Sequence, residues 1–330
     1  MDQAVFDLLY LEGIQVEKLN TTPPASLGSL ARLLRISTFW GVWMRLLGSD
    51  LTKSRVYLAL SGGWGQMYDV VTVLIGRVKG AQCILHHHSM AYLGRRSLLT
   101  SILFLFAGRN VVHVALCEAM KKRLEQNYGC RQVYLLSNIS LVSPDVSSRQ
   151  RDSLKTIGYL SNITKEKGGW SVIRLADEIH TKGWPVKFKV AGPCDDPALQ
   201  TALQEAHMRG SLELTGPLYG PEKKAFWDSI DLFVLPSENE AEPLVVWEAL
   251  LSGAPVISYA RGCIPVQVGD AGRIIPIDSD FVTSSIKLIE LWSTDSSLYD
   301  ELAQKAVARK PFTQRMKVEQ RSDFLKLLSD

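Results

Sequence analysis

The chain has 330 residues, of which 46% are hydrophobic and 22% charged, and its formal net charge is +3. This length suits two domains of ordinary size, and the composition excludes a disordered chain. Charge is unevenly distributed, because residues 1–150 contain 16 Lys and Arg against 9 Asp and Glu, whereas the remainder contains 21 against 25. The basic half predicts an anionic partner, either a membrane surface or a diphosphate-bearing substrate. It carries no basic and aromatic module of the nucleic-acid-binding kind, so we expect no nucleic-acid partner.

Helical and strand patterns alternate along the whole chain, which predicts parallel sheets covered by helices. In the first half, a helix is predicted at 5–11 and strands at 14–19, 56–60, 83–86, 112–116 and 133–136. In the second half, strands are predicted at 154–160, 186–190, 212–214, 232–235 and 255–258, and helices at 170–180, around 223–227 and from Pro243. The polar, turn-rich stretch 143–151 is the predicted linker. We therefore expect domains at 1–150 and 151–330.

Two apolar stretches in the basic half bear on a membrane partner. Residues 27–47 combine Trp40 and Trp43 with Arg32, Arg35 and Arg45, a mixture suited to the headgroup region of a bilayer. Residues 98–108 are apolar but too short to span a membrane, since spanning requires about 20 apolar residues. Each stretch is either a helix on an anionic membrane surface or a buried core helix. The five cysteines are odd in number and scattered, which favours a reducing compartment, and the N-terminus has acids and no basic region of the signal-peptide type. We therefore expect a cytoplasmic protein, peripheral on the inner face of the membrane if the first alternative holds.

The segment from 236 to 258 is the most informative part of the sequence. It follows an apolar strand, passes through a polar loop, and enters a predicted helix at Pro243, a residue suited to the first helical position. Glu240 lies in the loop and Glu248 in the helix, with seven residues between them. The start of such a helix offers free backbone N–H groups to an anion.

This order of elements resembles the Glu-x7-Glu signature of the retaining family-4 glycosyltransferases (glycosyl transferases group 1), which have the GT-B fold. The resemblance implies two Rossmann-like domains that face each other across a cleft, with the last helix packing back on the N-terminal domain. It implies that Glu240 lies at the donor sugar and that Glu248 binds the ribose of the nucleotide. The predicted donor site also includes the helix start, formed by Pro243, Leu244 and Val245.

The chain departs from the family pattern at its start. Family members open on a strand that lies in the middle of the N-terminal sheet, whereas this sequence opens on a predicted helix. We therefore expect that this first strand is absent, or that the true start lies upstream of Met1. The loss of a central strand would leave backbone donors and acceptors unpaired.

The loop from Gly158 to Gly168 resembles the family's diphosphate clamp, which contains an arginine and a lysine. Lys167 matches the lysine, but Tyr159 occupies the usual arginine position. A diphosphate requires charge-assisted hydrogen bonds, so Lys165 is a candidate for the missing cation and Asn162 for a further donor contact.

Three adjacent histidines lie at the end of a predicted strand in the basic half. In the family, a histidine in a comparable strand-end loop faces the donor sugar, which implies catalytic roles for His86 and His88. Side chains alternate along an extended chain, so His87 is expected on the opposite face, toward the acceptor. One rival interpretation is a structural cluster at the strand end, in which the histidines bond to their neighbours. The other is a metal site, but no carboxylate at ligand spacing accompanies the histidines and GT-B enzymes generally need no metal. We therefore expect neither a metal nor a cofactor.

The glycine-containing loop after strand 56–60 is a second candidate for the acceptor side. Glycines let a backbone approach a ligand closely, and open α/β sheets bind ligands at the carboxyl ends of their strands. Gly63 and Trp64 are the residues predicted to border the acceptor.

Together these features predict a glycosyltransferase. It would move a sugar from a nucleotide-sugar donor to an acceptor hydroxyl with retention of configuration, in the biosynthesis of cell-surface polysaccharide or glycolipid. The acceptor would be a glycan or a polyprenyl-diphosphate-linked glycan. Two alternatives remain, a GT-B sugar-nucleotide epimerase and a catalytically silent GT-B subunit that binds a partner transferase.

Overall fold

The computed structural model describes residues 2–21 and 31–329. It divides into two compact units, one formed by Met1–Val142 with Val318–Asp330 and the other by Ser143–Lys317. Part of the stretch predicted at 27–47, including the side chain of Arg32, lies outside the described residues. In the described part of the chain, no helix is long and apolar enough to cross a membrane.

The first unit contains a parallel sheet of four strands in the order β1-β2-β3-β4. Its elements are α1 (Asp2–Leu11), α2 (Ala31–Gly48), β1 (Arg55–Leu60), α3 (Gln66–Val78), β2 (Gln82–His87), α4 (Leu98–Ala107), β3 (Val112–Ala115), α5 (Glu118–Tyr128), β4 (Val133–Leu135) and α6 (Asn138–Leu141), together with the end of α13 (Ser296–Ser329).

The two faces of this sheet have separate apolar cores, because successive side chains of a strand point to opposite faces. On β2, Ile84 belongs to a cluster with residues of α1 and with Phe324 of α13. Its neighbours Cys83 and Leu85 belong to a second cluster, with residues of α3 and α4. The alternation carries through to the end of β2, where His86 and His87 lie.

The strand predicted at 14–19 is wrong. Residues 14–21 have no regular secondary structure, and the described residues before β1 form two helices and no strand. Ile14 and Val16 pack against the apolar cluster that contains α1 and Phe324. Their alternation therefore reflects burial of side chains against the core and not pairing of a backbone ladder. As a result β1, which is only partly buried, is an edge strand of the sheet.

The second unit contains a parallel sheet of six strands in the order β10-β9-β8-β5-β6-β7. Its elements are β5 (Thr156–Leu160), α7 (Gly169–Thr181), β6 (Lys187–Ala191), α8 (Pro197–Met208), β7 (Glu213–Gly216), α9 (Gly220–Ser229), β8 (Leu232–Leu235), α10 (Leu244–Ser252), β9 (Val256–Tyr259), α11 (Ile264–Val268), β10 (Gly272–Ile275) and α12 (Phe281–Thr294), followed by α13.

The strand order of this sheet reverses between β5 and β8, which pair directly. Such a reversal is the switch point at which open α/β sheets bind ligands, beyond the carboxyl ends of the strands. The strands predicted after residue 54 are confirmed, with ends shifted by no more than two residues, whereas β10 was not predicted.

Pro243 is not the first residue of α10. It is the N-cap, with an extended backbone (ψ 125°), and the helix begins at Leu244. The Gln267 side chain donates a hydrogen bond from Nε2 to the Pro243 carbonyl at 3.1 Å. An extended backbone is typical of an N-cap residue, so the helix begins one residue later than predicted.

Candidate functional site

Two loops meet at the switch point of the second unit. One follows β5 and the other follows β8, and the Glu238 N–H donates to the Glu166 carbonyl at 2.9 Å. Gly168 has φ +80°, and a Cβ at this position would lie 2.4 Å from the Pro236 carbonyl oxygen. Only glycine allows both the left-handed backbone and this close approach. The glycine of the Lys-Gly pair is therefore a structural requirement of the loop contact.

The contact between the loops brings Lys167 and Glu240 together. Lys167 Nζ lies 2.7 Å from Glu240 Oε1 and donates to the Asn239 carbonyl at 3.3 Å. The carboxylate side chain is 10% exposed and the lysine side chain 30% exposed. Buried Tyr159, at the position where the family has an arginine, donates from its hydroxyl to the Lys167 carbonyl at 3.1 Å. Tyr159 thus supports the loop that carries the lysine and supplies no charge.

A turn after β9 supports the loop of Glu240 from the other side. Gly262 has φ +53°, and a Cβ there would lie 2.2 Å from the Ala241 carbonyl oxygen and 2.4 Å from that of Glu240. The Cys263 N–H donates to the Ala241 carbonyl at 2.7 Å. Beside this turn, Arg261 Nε is buried and has no hydrogen-bond partner among the residues that the structure describes.

Glu248 lies on α10 with one carboxylate oxygen paired and the other unpaired. Its Oε1 is 2.7 Å from Lys223 Nζ, whereas Oε2 is buried with no hydrogen-bond partner within the described ranges. Lys223 was missed by sequence reasoning, since it lies on α9, 25 residues before Glu248, with no motif around it. The residue next to Glu248 is also anchored, because Trp247 Nε1 donates to Glu242 Oε1 at 3.0 Å.

The remaining predicted donor residues lie at the edge of this arrangement. No side chain caps the start of α10, where the N–H groups of Leu244 and Val245 lie. Asn162 and Lys165 are both exposed on the loop after β5. The structure therefore joins Lys167 to Glu240 and Glu248 to Lys223, and leaves Asn162 and Lys165 on the solvent side of the Lys167 loop.

The three histidines of the first unit divide between the two faces of the sheet. His86 Nδ1 lies 2.5 Å from the Tyr57 hydroxyl, and the His86 ring is centred 4.0 Å from that of His88. His87 lies on the other face, with Nε2 3.0 Å from Nδ1 of His113 and Nδ1 3.1 Å from the Tyr92 hydroxyl. His113 was not predicted to take part, because it stands alone in the sequence.

Burial decides what these histidines can do. His86 and His87 have no exposed surface, and burial lowers the pKa of both well below the usual value. Burial also lowers the pKa of His113 to about 4. All three are therefore neutral at pH 7, and neither His86 nor His87 offers a surface to a ligand. Of the adjacent three, only His88 is partly exposed.

The glycine-containing loop after β1 forms a short 3-10 turn at Gly63–Gly65. Trp64 is 83% exposed, and the start of the loop is fixed by Asp69, which accepts a hydrogen bond from the Ser61 N–H at 2.8 Å. Burial raises the pKa of Asp69 to about 6. Gly63 has φ +56° with open space around it. The loop therefore presents an aromatic side chain to solvent on a rigid base.

The described part of the chain contains no group of three or more His, Cys, Asp or Glu side chains that could hold a metal ion. His87 bonds to His113 and to the Tyr92 hydroxyl, and His86 bonds to the Tyr57 hydroxyl.

Comparison with known proteins identifies the family. The family model described as glycosyl transferases group 1 matches residues 145–309, which covers the switch point, both ion pairs and α10. The chain belongs to the glycosyl transferases group 1 family. Among curated members, AmsK of Erwinia amylovora, named as an amylovoran biosynthesis glycosyltransferase, is 24% identical over 180 residues, or 52% of this chain and 44% of AmsK. WcaL of Salmonella typhimurium, named in connection with colanic acid biosynthesis, is 24% identical over 184 residues, or 51% of this chain and 45% of WcaL.

The chain spans about half the length of the curated relatives it matches. Its fold, in contrast, matches solved structures almost throughout. HepE of Anabaena in complex with UDP has a TM-score of 0.68 and 18% identity, covering 99% of this chain and 89% of HepE. Sucrose-phosphate synthase of Thermosynechococcus elongatus has a TM-score of 0.69 and 14% identity, covering 96% of this chain and 84% of that one. The fold of this family member is GT-B.

Proposed function

We propose that the chain is a retaining glycosyltransferase of family 4 that moves a sugar from a nucleotide-sugar donor to an acceptor hydroxyl. The observation that carries the proposal is the Lys167–Glu240 pair at the switch point of the second sheet, next to a helix whose start has no side-chain cap. An ammonium group, a carboxylate and free backbone N–H groups at one strand edge suit a ligand that has both an anionic and a hydroxylated part.

Different residues of the second unit would bind different parts of the donor. Lys167 and the N–H groups of Leu244 and Val245 would hold the diphosphate, and the unpaired Oε2 of Glu248 would accept a hydrogen bond from a ribose hydroxyl. Glu240 would accept from hydroxyls of the sugar. The UDP bound in the HepE structure supports a uridine diphosphate donor.

The chemistry follows from where charge develops. When the anomeric carbon separates from the diphosphate, negative charge grows on the leaving phosphate and positive character on the sugar ring. Fixed donors aimed at that phosphate stabilise the transition state more than the ground state. Lys167 would meet the growing negative charge and Glu240 the positive character of the sugar. No metal or cofactor is required by this scheme.

The acceptor side is assigned to the first unit. Of the three adjacent histidines, we propose a role in the site only for His88, because His86 and His87 have no exposed surface. Gly63 and Trp64 lie on the exposed loop after β1 and would border the acceptor. The relatives AmsK and WcaL, by their names, support a role in cell-surface polysaccharide biosynthesis. A polyprenyl-diphosphate-linked glycan is the acceptor class we propose, with the protein at the inner face of the membrane.

A panel of sugar nucleotides tests the proposal. Thermal shift with UDP-, GDP-, ADP- and dTDP-sugars should single out one nucleotide, because a ligand at 100 times its dissociation constant stabilises the protein by about 2.7 kcal/mol. Mass spectrometry should then show transfer of the sugar to an acceptor, or slow hydrolysis of the donor. Isomerised donor would indicate an epimerase. Binding without turnover in the presence of acceptor lipids would indicate a silent subunit, and no stabilisation by any nucleotide would overturn the proposal.

A further inference from the structure

Three neighbouring helices, α2, α3 and α4, form a layer in the first unit. α2 packs on α3 through stacked rings of Phe39 and Tyr68, centred 4.5 Å apart, and through a hydrogen bond of 3.0 Å from Trp43 Nε1 to Thr72 Oγ1. α3 joins α4 through Arg77, which donates to the Phe106 carbonyl at 3.0 Å. The inner side of α3 and α4 packs on the sheet.

The outer side of this layer is apolar. Large hydrophobic side chains are exposed at helical spacing on each of the three helices, so that each helix has one apolar stripe turned to solvent. The exposed residues are Ile36, Trp40, Met44 and Leu47 on α2, Met67, Leu74 and Val78 on α3, and Leu98, Ile102, Leu105 and Phe106 on α4. An exposed apolar surface built from several neighbouring elements marks an interaction site.

The charges around this surface are mostly positive, although Arg45 on α2 pairs with the exposed Glu17 at 2.9 Å. Residues 31–49 contain three arginines and no acid. Residues 66–117 contain Arg77, Lys79 and three further arginines in the stretch 95–109, and their sole acid is Asp69, which is 1% exposed. A second copy of the chain would bring like charges together at such a surface, whereas an anionic surface would complement it.

We propose that the outer side of the α2–α3–α4 layer docks on an anionic lipid bilayer. Apolar side chains with a tryptophan among them suit the boundary of headgroups and acyl chains. Each basic side chain near an anionic leaflet contributes about 1 kcal/mol of attraction. The surface extends over three helices, and so is broader than the two stretches suggested by the sequence. A lipid-linked acceptor lies in a membrane, so the proposed docking surface would bring the protein to its acceptor. To that extent the inference rests on the proposed function.

Vesicle flotation of the full chain tests the surface. The wild type should float with vesicles of phosphatidylcholine mixed with phosphatidylglycerol at low salt, and far less with phosphatidylcholine alone or at high salt, because salt screens the attraction. The double variant Leu98→Ser/Leu105→Ser removes two side chains that are 78% and 72% exposed, so it should fold normally. Its apparent affinity for the mixed vesicles should fall at least about tenfold.

Two further variants make the test specific. Arg95→Glu/Arg96→Glu should also lose binding to the mixed vesicles. The matched control Met208→Ser/Tyr219→Ser changes two side chains of similar exposure in the second unit and should bind as the wild type does. A wild type that ignores anionic vesicles at low salt, or two surface variants that still bind, would overturn the proposal. Salt-resistant dimers in sedimentation, abolished by the leucine variant, would assign the surface to a second copy. Nucleotide binding, measured separately by thermal shift, reports on the proposed function independently.

Discussion

The Nζ of Lys223 lies 2.7 Å from Oε1 of Glu248, and the second oxygen of this carboxylate, buried on α10, has no hydrogen-bond partner in residues 2–21 and 31–329. A buried carboxylate is costly unless it is paired. Lys223 pairs with Oε1 and thereby holds the Glu248 side chain in one rotamer. The position of Oε2 is fixed by the same ion pair. The pair therefore positions a hydrogen-bond acceptor before any ligand arrives.

Replacing Glu248 by Ala should weaken nucleotide binding about ten- to a hundredfold, because a charge-assisted contact to the ribose is lost. Isothermal titration calorimetry with the nucleotide diphosphate, in the absence of sugar, measures the effect. Unchanged affinity would show that the Glu248 carboxylate has no part in the donor site.

Lys223→Ala should weaken nucleotide binding less, by about tenfold, because Glu248 remains but loses its fixed rotamer. The variant should add little to Glu248→Ala in a double-mutant cycle, since Lys223 acts through the carboxylate. Lys224→Ala is the matched control, because Lys224 is the next residue and its one ion-pair partner among the described residues is the exposed Asp145, at 3.2 Å. Additive losses in the double variant would mean that Lys223 contacts the nucleotide itself.

Glu240→Gln should lower turnover by at least about tenfold while leaving affinity for the nucleotide nearly constant. The change preserves shape and removes the charge that Lys167 and the sugar would meet. Steady-state rates with donor and acceptor, beside calorimetry with the nucleotide alone, separate the two effects. Turnover equal to that of the wild type would exclude an electrostatic role for this carboxylate.

The sequence predicted the second unit well because its signals are local. The strand, the Pro-containing loop and the helix around Glu240 and Glu248 are contiguous, and each has its own turn residues. Lys167 was identified for a similar reason, because it lies next to Gly168 in a contiguous loop that resembles the family's diphosphate clamp. Local motifs of this kind determine both the fold of a loop and the position of its side chains.

Contacts between segments that are distant in the sequence could not be predicted from local motifs. Lys223 approaches Glu248 only because α9 and α10 are neighbours in the fold, and Gly262 supports Glu240 only because the loops after β8 and β9 touch. The strand predicted at 14–19 failed for a related reason, because Ile14 and Val16 alternate to pack on a core formed by other segments. Periodicity shows which side chains are buried but not whether the backbone pairs.

Chelators should leave sugar transfer intact. The charge on the leaving diphosphate would be met by Lys167 and by the N–H groups at the start of α10, so a divalent cation has no necessary part in the scheme. The measurement is the rate of transfer after dialysis against EDTA, compared with the rate after addition of Mg²⁺ or Mn²⁺. Activity that is lost in EDTA and restored by either ion would show that a metal takes part.

The first unit should lose stability when the pH falls from 6.5 toward 4. Burial keeps His113 unprotonated until about pH 4 and lowers the pKa of His86 and His87 still more strongly, whereas the same histidines in the unfolded chain bind protons near pH 6.5. The unfolded state therefore takes up more protons in this window, and each histidine costs about 1.4 kcal/mol per pH unit. Asp69 opposes them, because its raised pKa of about 6 makes the folded state bind a proton first.

The three histidines with lowered pKa outweigh the one carboxyl with a raised pKa, so the free energy of unfolding should still increase with pH. His113→Leu should make that slope smaller by about one proton, although it removes the partner of His87 Nε2 and costs stability at every pH. Urea unfolding at pH values between 7.5 and 4.5 measures the slope. Hydrogen exchange of peptides from β2 and β3 over the same range shows how much of it belongs to the first unit. The exposed His180 on α7, changed to Leu, controls for the loss of a histidine as such. A slope unaffected by His113→Leu would show that the buried histidines do not couple protonation to folding.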